Sequence, residues 1–420
     1  MVTHNTASPL PPATGVLIVG AGPAGLALAL SLQRAGISHV IVDKLPQGLN
    51  TSRAGVIHAH TLDVLSQLGV SNELVRHGLP ISRFRIRDGD RMLLQLGFES
   101  LPSPHPYLLM LPQDCTERIL AERIEAAGGF VHRGYAATAL HRTGAGVEVT
   151  LQGPSGQAVV TAGYVVGADG MHSLVRDFVG TPFEGSAYAD SFVLADVRMD
   201  WPFGNGEVSF FFSPAGLVVV APLPGKRYRV VATVAEAPPQ PSMELVQSLL
   251  DSRGPRQRRA RVLELLWSSR FRVHHRLARH YRSGRFFLMG DAAHVHSPAG
   301  GQGMNTGLVD AVVLGELLRR AIRNGDDSIL DEYERLRRPA AEKVLRLSAR
   351  LTAIGVVRDG IRRWLRNAAL SFLNAFAPGR NTLVRSLSGL SRAALASLPP
   401  DIAPSAVPVS RLQPTSGGRQ

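Results

Sequence analysis

Gly20, Gly22 and Gly25 stand in a G-x-G-x-x-G spacing, behind four apolar residues at 16–19 and ahead of an apolar helical run at 26–30. This pattern brings a pyrophosphate to the N-terminus of a helix. Gly20 permits the tight turn, Gly22 the close approach of backbone to phosphate, and Gly25 the contact between helix and strand. Pro23 falls in the first helical turn, where a missing N–H costs nothing. A second strand at 39–42 ends on Asp43, eighteen residues after Gly25, where a carboxylate accepts hydrogen bonds from a ribose. A membrane span is the wrong reading of the uncharged stretch 15–32. Four glycines and a proline break it, and crossing needs about 20 apolar residues. It also lacks the basic lead of a signal peptide. Taken alone, the unit leaves NAD and FAD both open.

A second stretch carries complementary chemistry. Residues 285–289 read as a buried strand running into Gly290-Asp291, then a loop with Pro298, Gly300, Gly301 and Gly303, then a helix beginning near Asn305. The segment offers a carboxylate at a strand end and another glycine-rich helix N-terminus. Such an N-terminus suits a ring whose reduced form is anionic, as at the pyrimidine edge of an isoalloxazine. Between the two stretches, a strand at 164–166 enters Gly167-Ala168-Asp169-Gly170, followed by Ser173 and Arg176.

With the three motifs in this order over residues 15–310, the chain resembles the FAD-dependent aromatic hydroxylases. These are single-component flavoprotein monooxygenases similar to para-hydroxybenzoate, phenol and ubiquinone-pathway hydroxylases. The resemblance implies an α/β fold: a Rossmann-like FAD-binding domain with an inserted, mostly antiparallel β-sheet substrate domain and a helical C-terminal region. It implies FAD held by Gly20, Gly22, Ala24, Gly25, Asp43, Lys44, Arg53, Gln113, Asp169, Gly290, Asp291, Gly303, Met304 and Asn305. It also implies a catalytic loop of Pro298, Gly300, Gly301 and Gly303 along the flavin ring, with no acid or base assigned. Asp43 stands where relatives usually carry Glu, and Lys44 where they carry Arg. The implied reaction uses NAD(P)H as a transient co-substrate and O2, and hydroxylates an aromatic or polycyclic molecule through a flavin C4a-hydroperoxide. A halogenase or a prenyl-chain reductase on the same scaffold is the alternative. The W-x-W-x-I-P signature of many halogenases is missing, since Trp201, Trp267 and Trp364 stand alone. No second glycine-rich nicotinamide site is visible, because Gly144 and Gly146 lie in a hairpin-like turn. A separate reductase would leave the same trace.

The elements that must position these residues alternate between two kinds. Helical spacing over Leu62, Leu65 and Leu68 ends at Gly69, and a helix within the stretch 111–129 closes at Gly128-Gly129. Strands follow at 138–141, 147–152, 158–161 and 164–166. Short alternating runs over 81–110, and strands at 193–198, 207–212, 216–222 and 228–234 with a helix near 243–250, read as an antiparallel excursion. The implied division is 1–80, 111–181 and 276–350 for the FAD-binding domain, 81–110 and 182–275 for the substrate-binding domain, 351–398 for C-terminal helices, and 399–420 for a disordered tail. Phe210, Phe211 and Phe212 put aromatics on both faces of one strand, most simply as core and alternatively as the wall of an apolar ligand cavity.

The chain of 420 residues carries a formal charge of +13, yet it has three lysines against forty-three arginines. Eleven of the arginines fall between Arg253 and Arg285 beside a single acid, Glu264. With no nucleic-acid motif and no interleaved aromatics, this reads as a solvated basic face, and no nucleic-acid partner is expected. Cys115 is the sole cysteine, so no intramolecular disulfide forms and a reducing cytoplasm fits. His58 and His60 lack a third ligand nearby, His294 and His296 fall inside the loop that the resemblance places along the flavin, and no metal is expected. Arg83, Arg85 and Arg87 are candidates for meeting an acidic substrate. The expected partners are a small aromatic or lipophilic substrate and O2, with oligomeric state left open. The basic amphipathic segment 354–376 is expected to pack on the FAD-binding domain, with peripheral membrane contact as the alternative.

Overall fold

The structure is a computed structural model that describes residues 9–48, 54–144, 146–355, 357 and 359–398. Arg53 and the tail at 399–420 lie outside the described residues. Two eight-stranded sheets and one three-stranded sheet organise the described residues. In the first, Ala13–Val19 lies between His39–Asp43 and Gly156–Gly167, with Val131–Arg133 and Phe286–Leu288 continuing outward, and all five run parallel. Val16, Leu17 and Ile18 are fully buried. That is why this strand is continuously apolar: helices cover both sides of a parallel sheet.

The sequence pattern predicts separate strands at 158–161 and 164–166. The structure instead shows one strand, Gly156–Gly167. Its first half pairs antiparallel with Val147–Gly153 and its second half parallel with Ala13–Val19. Gly163 does not end the strand because it meets Gly15, where a Cβ would stand 2.8 Å from the Gly15 carbonyl oxygen.

The second sheet runs in the order His294–Val295, Arg261–Ala278, Phe183–Asp200, Arg227–Val234, Gly216–Leu223, Glu207–Ser213, Arg83–Asp88, Arg91–Gly97. Every pair is antiparallel except Glu207–Ser213 with Arg83–Asp88. The arginine-rich stretch from 253 onward is largely the eighteen-residue strand Arg261–Ala278, which sequence reasoning had not seen as a strand. It passes residue 275 without a break. Phe211 packs on one face with Trp201, under the helix Met243–Arg253, while Phe210 meets Phe84 on the other, with ring centroids 4.5 Å apart. Both faces are therefore core, as period-two side-chain alternation requires. Arg85 and Arg87 do not wait for an acidic ligand: both bind the buried carboxylate of Glu207, Arg87 at 2.8 Å.

Helices Gly303–Asn324 and Asp331–Gly355 lie over the first sheet. The helices Gly360–Ala375 and Ala377–Leu387 and the turn Leu390–Ala396 complete a helical C-terminal region. The expectation that 354–376 packs on the nucleotide-binding half is corrected here. Gly360–Ala375 leans on the edge strand Arg91–Gly97 of the second sheet, where Arg363 reaches Asp88 at 3.0 Å and Asn374 accepts from the Gln95 N–H at 2.9 Å.

Candidate functional site

The glycine turn shows why each of its positions is glycine. Gly20 has φ +108°, and a Cβ there would lie 2.3 Å from the Ala168 carbonyl oxygen. A Cβ on Gly25 would lie 1.9 Å from the Gly20 carbonyl oxygen. Gly22 differs from both. Its backbone is extended and a Cβ would meet nothing within 4 Å. Gly22 caps the helix Pro23–Arg34, whose first turn carries no acid. The turn is thus braced from behind at 20 and 25 and open in front at 22, at the positive end of a helix.

Asp43 closes the turn from the side. Its carboxylate accepts from Ala21 N–H at 2.7 Å and from Leu45 N–H at 2.9 Å. A shorter acid than Glu fits here because the carboxylate grips the turn itself, and each oxygen keeps a lone pair for a further donor. Lys44 follows at the strand end. Gln113 heads the helix Gln113–Ala126, accepts from Ala54 N–H and donates to Glu117 at 2.8 Å. Burial pushes the Glu117 carboxyl above its ordinary range, with the Gln113 hydrogen bond opposing it.

Asp169 lies behind the turn, its Oδ2 accepting from Val175 N–H at 3.3 Å and its buried Oδ1 without a partner. Burial raises its pKa. Ser173 caps the following helix through Arg176 N–H. The Arg176 guanidinium donates to the Met171 and Ala292 carbonyls at 2.9 and 3.1 Å, tying Asp169-Gly170 to Gly290-Asp291.

The second glycine-rich helix starts at Gly303, two residues before Asn305, and its first turn also carries no acid. Helices Pro23–Arg34 and Gly303–Asn324 pack side by side. Their N-terminal turns touch through the smallest residues available: a Cβ on Gly307 would lie 3.2 Å from the Gly290 Cα and 3.3 Å from the Ala24 Cβ. The motifs quoted from residues 20–25, 169–170 and 290–305 therefore converge at the C-terminal ends of parallel strands, where α/β sheets bind ligands. Asp291 is exposed beside them.

The loop leading into Gly303 is held almost wholly by protein. Gly300 and Gly301 have positive φ, and Gly301 N–H donates to the Pro298 carbonyl at 2.8 Å. The Asn305 side chain accepts from His58 N–H and donates to the carbonyls of Val56 and Gly301, all within 2.9 Å. Both hydrogens of its amide nitrogen are engaged, so it shapes the loop from beneath. Met304 packs against the core.

His58, which the sequence offers only as an ordinary polar contact, and Gln302 and Asp310, to which it assigns no role, complete the loop's support. His58 Nε2 bonds the Gly300 carbonyl at 2.9 Å, and burial pushes this imidazole down to about 4. Gln302 donates to the Gly300 and Leu387 carbonyls, both at 3.0 Å, and accepts from Arg392 at 2.7 Å. Asp310 accepts from His294 and from Arg337, both at 2.7 Å, with all three buried. Arg229 joins the sheets by pairing with Asp196 at 2.7 Å and donating to the Ala54 carbonyl at 2.8 Å. His294 and His296 stack with ring centroids 6.2 Å apart. No group of three or more potential metal ligands occurs among the described residues.

The chain matches the family model described as an FAD binding domain over residues 13–348. It is 35% identical over 389 residues to 6-methylpretetramide 4-monooxygenase of Streptomyces rimosus, covering 90% of this chain and 69% of that protein. It is 33% identical to pentachlorophenol 4-monooxygenase of Sphingobium chlorophenolicum, covering 79% of this chain and 63% of that protein. Among solved structures, p-nitrophenol 4-monooxygenase PnpA from Pseudomonas putida DLL-E4 superposes with a TM-score of 0.80 at 26% identity, covering 90% of this chain and 98% of that one. OxyS anhydrotetracycline hydroxylase from Streptomyces rimosus gives 0.77 at 32% identity, with 90% and 76% covered.

Proposed function

The chain belongs to the FAD-binding family of flavin-dependent aromatic monooxygenases, and from that premise we propose that it uses NAD(P)H and O2 to hydroxylate an uncharged aromatic or polycyclic small molecule. The observation that carries the reading is the meeting of two acid-free helix N-termini at Ala24, Gly290 and Gly307, with an open cradle in front of Gly22. The residues present fit FAD. Gly22, where a Cβ would meet nothing within 4 Å, would leave room for an anionic pyrophosphate, and the second helix N-terminus would suit the anionic reduced ring.

When bound, FAD supplies the electron transfer and oxygen activation that side chains lack. Gly20, Gly22, Ala24 and Gly25 would hold the pyrophosphate, Asp43 with Lys44 the adenosine ribose, Gln113 and Asp169 the flank, and Asp291 the ribityl side. His58, Gln302 and Asn305 fix the backbone of 298–303 so that Pro298, Gly300, Gly301 and Gly303 form the wall beside the ring. The apolar neighbours of Gly300 and Gly301, namely Val56, Leu351 and Leu387, keep water from that wall.

The substrate would lie over the second sheet, within 81–110 and 182–275. The relatives' names specify a pretetramide and a chlorinated phenol, and an aromatic substrate for this chain follows that class. Glu207 supports the uncharged assignment, because its carboxylate already pairs with the guanidinium groups of both Arg85 and Arg87. Tests are direct: the purified chain is yellow and releases FAD on denaturation, and phenols or polycyclic phenols stimulate NAD(P)H oxidation with a product sixteen mass units heavier. A colourless protein, or anaerobic product formation, refutes the proposal.

A further inference from the structure

The helix Gly360–Ala375 is amphipathic in an unusual sense, because apolar side chains also occupy the side it turns away from the protein. Arg366, Leu370 and Asn374 face the edge strand Arg91–Gly97 and its surroundings. On the opposite side, Ile361, Trp364, Leu365 and Phe372 are 76, 68, 54 and 72% exposed. At 100° per residue these four fall within an arc of about 100°, centred opposite Leu370. Phe376 extends the row and stacks on Phe372, with centroids 6.3 Å apart. Single exposed apolar residues are ordinary, but a continuous row of this kind marks a contact surface.

The charge around the row says what covers it. From 360 to 398 the chain has six arginines and no acid, although Arg363 pairs with Asp88, Arg366 is buried and Arg392 binds Gln302. Arg362 and Arg385 are exposed, while the nearest acids point elsewhere: Asp359 caps the helix through Ile361 and Arg362 N–H, and Asp88 binds Arg363 on the packed side. A second copy of the chain meeting this face about a two-fold axis would bring the same arginine-flanked surface against itself. An anionic partner gains where a second copy loses. A bilayer also receives a convex row of Trp, Phe, Ile and Leu without needing a complementary groove.

We propose that the Gly360–Ala375 helix docks the protein on anionic lipid bilayers, lying in the interface with Ile361, Trp364, Leu365 and Phe372 inserted and the flanking arginines at the headgroups. At about 24 Å in length it is too short to span, and no helix among the described residues is long and apolar enough to cross a membrane. The proposal stands on this surface and not on the hydroxylase reading, so either fails without the other.

The test is cosedimentation of the flavin-loaded full chain with vesicles of phosphatidylcholine containing roughly one-third phosphatidylserine. Binding is expected to weaken about tenfold or more for Trp364→Ser/Phe372→Ser. It is also expected to fall with pure phosphatidylcholine and when salt rises from about 0.1 to about 0.5 M. Unchanged melting and flavin content establish that the variant is folded. If the wild type stays in the supernatant with anionic vesicles, or the double variant binds equally well, the proposal is overturned. It is equally overturned if sedimentation equilibrium shows a dimer that the double substitution dissolves, since a second copy then occupies the face.

Discussion

Gly22→Val separates the cradle from the fold that carries it. The backbone at 22 has φ −73° and ψ −178°, which any residue adopts, and a Cβ meets nothing within 4 Å. Replacing glycine by an apolar residue at a helix N-cap costs about 1 kcal/mol, so melting should fall by no more than about 4 °C. The added methyls enter the space in front of the helix N-terminus and keep a pyrophosphate from its N–H groups. Two charge-assisted hydrogen bonds lost at about 1.5–3 kcal/mol each weaken FAD by roughly a hundredfold to ten-thousandfold. Gly25→Ala is the contrasting control. Its Cβ would stand 1.9 Å from the Gly20 carbonyl oxygen, so the strand–helix contact must open and folding suffers together with binding. The assays are the absorbance of purified protein at flavin wavelengths, FAD titration by flavin fluorescence, and thermal melting of the flavin-free protein. Gly22→Val that purifies fully yellow with unchanged FAD affinity refutes the placement of the pyrophosphate.

Three further outcomes follow from the same geometry. His58 is buried with its pKa pushed down to about 4, so the unfolded chain takes up a proton near pH 6.5 that the native protein refuses. The stability this represents, at most about 3 kcal/mol, is intact above pH 6.5 and is lost as pH falls toward 4; urea unfolding of His58→Gln should show a shallower decline over that window. Asp310→Asn leaves Arg337 buried without its anion and should cost about 3–5 kcal/mol in urea unfolding, whereas an effect under 1 kcal/mol would mean the network is solvated. Gly301→Ala forces a Cβ to within 2.2 Å of Val56 Cγ1 at φ +63°; about tenfold slower turnover with mostly retained flavin is expected, and partial recovery in Gly301→Ala/Val56→Ala would show the clash to be the cause.

Residues whose conformation is set locally were legible in the sequence. The glycines at 20, 22 and 25, the strand end at Asp43 and the loop at 298–303 each follow from backbone sterics or from a helix terminus, and short-range spacing records both. Residues whose role arises across the fold were not. Asp310 looks like any helical acid until Arg337 and His294 are brought to it. Gln302 gains its meaning from Leu387 and Arg392. The strand Arg261–Ala278 was hidden because Leu265-Leu266-Trp267 and Ser268-Ser269 break the alternation that announces a half-buried strand, and its pairing with Phe183–Asp200 shifts register beside them. Arg270 sits in it with a guanidinium that reaches the Ala237 carbonyl at 3.1 Å. Arg85 and Arg87 misled for the opposite reason: three arginines at period two suggested a ligand, and the anion that answers two of them is Glu207, about 120 residues away.

The grip of Leu387 and Arg392 on Gln302 bears on how this protein can be divided. The FAD-binding match ends at residue 348, yet the loop it contains is fastened by a carbonyl and a guanidinium from beyond that point. Heredity and mechanics thus draw the module's edge in different places. A fragment cut at the family boundary would keep every glycine of the turn at 20–25 while losing the fastening of the loop at 298–303. Chimeras that exchange C-terminal helices between relatives should therefore alter turnover even where the transplanted helices never touch substrate.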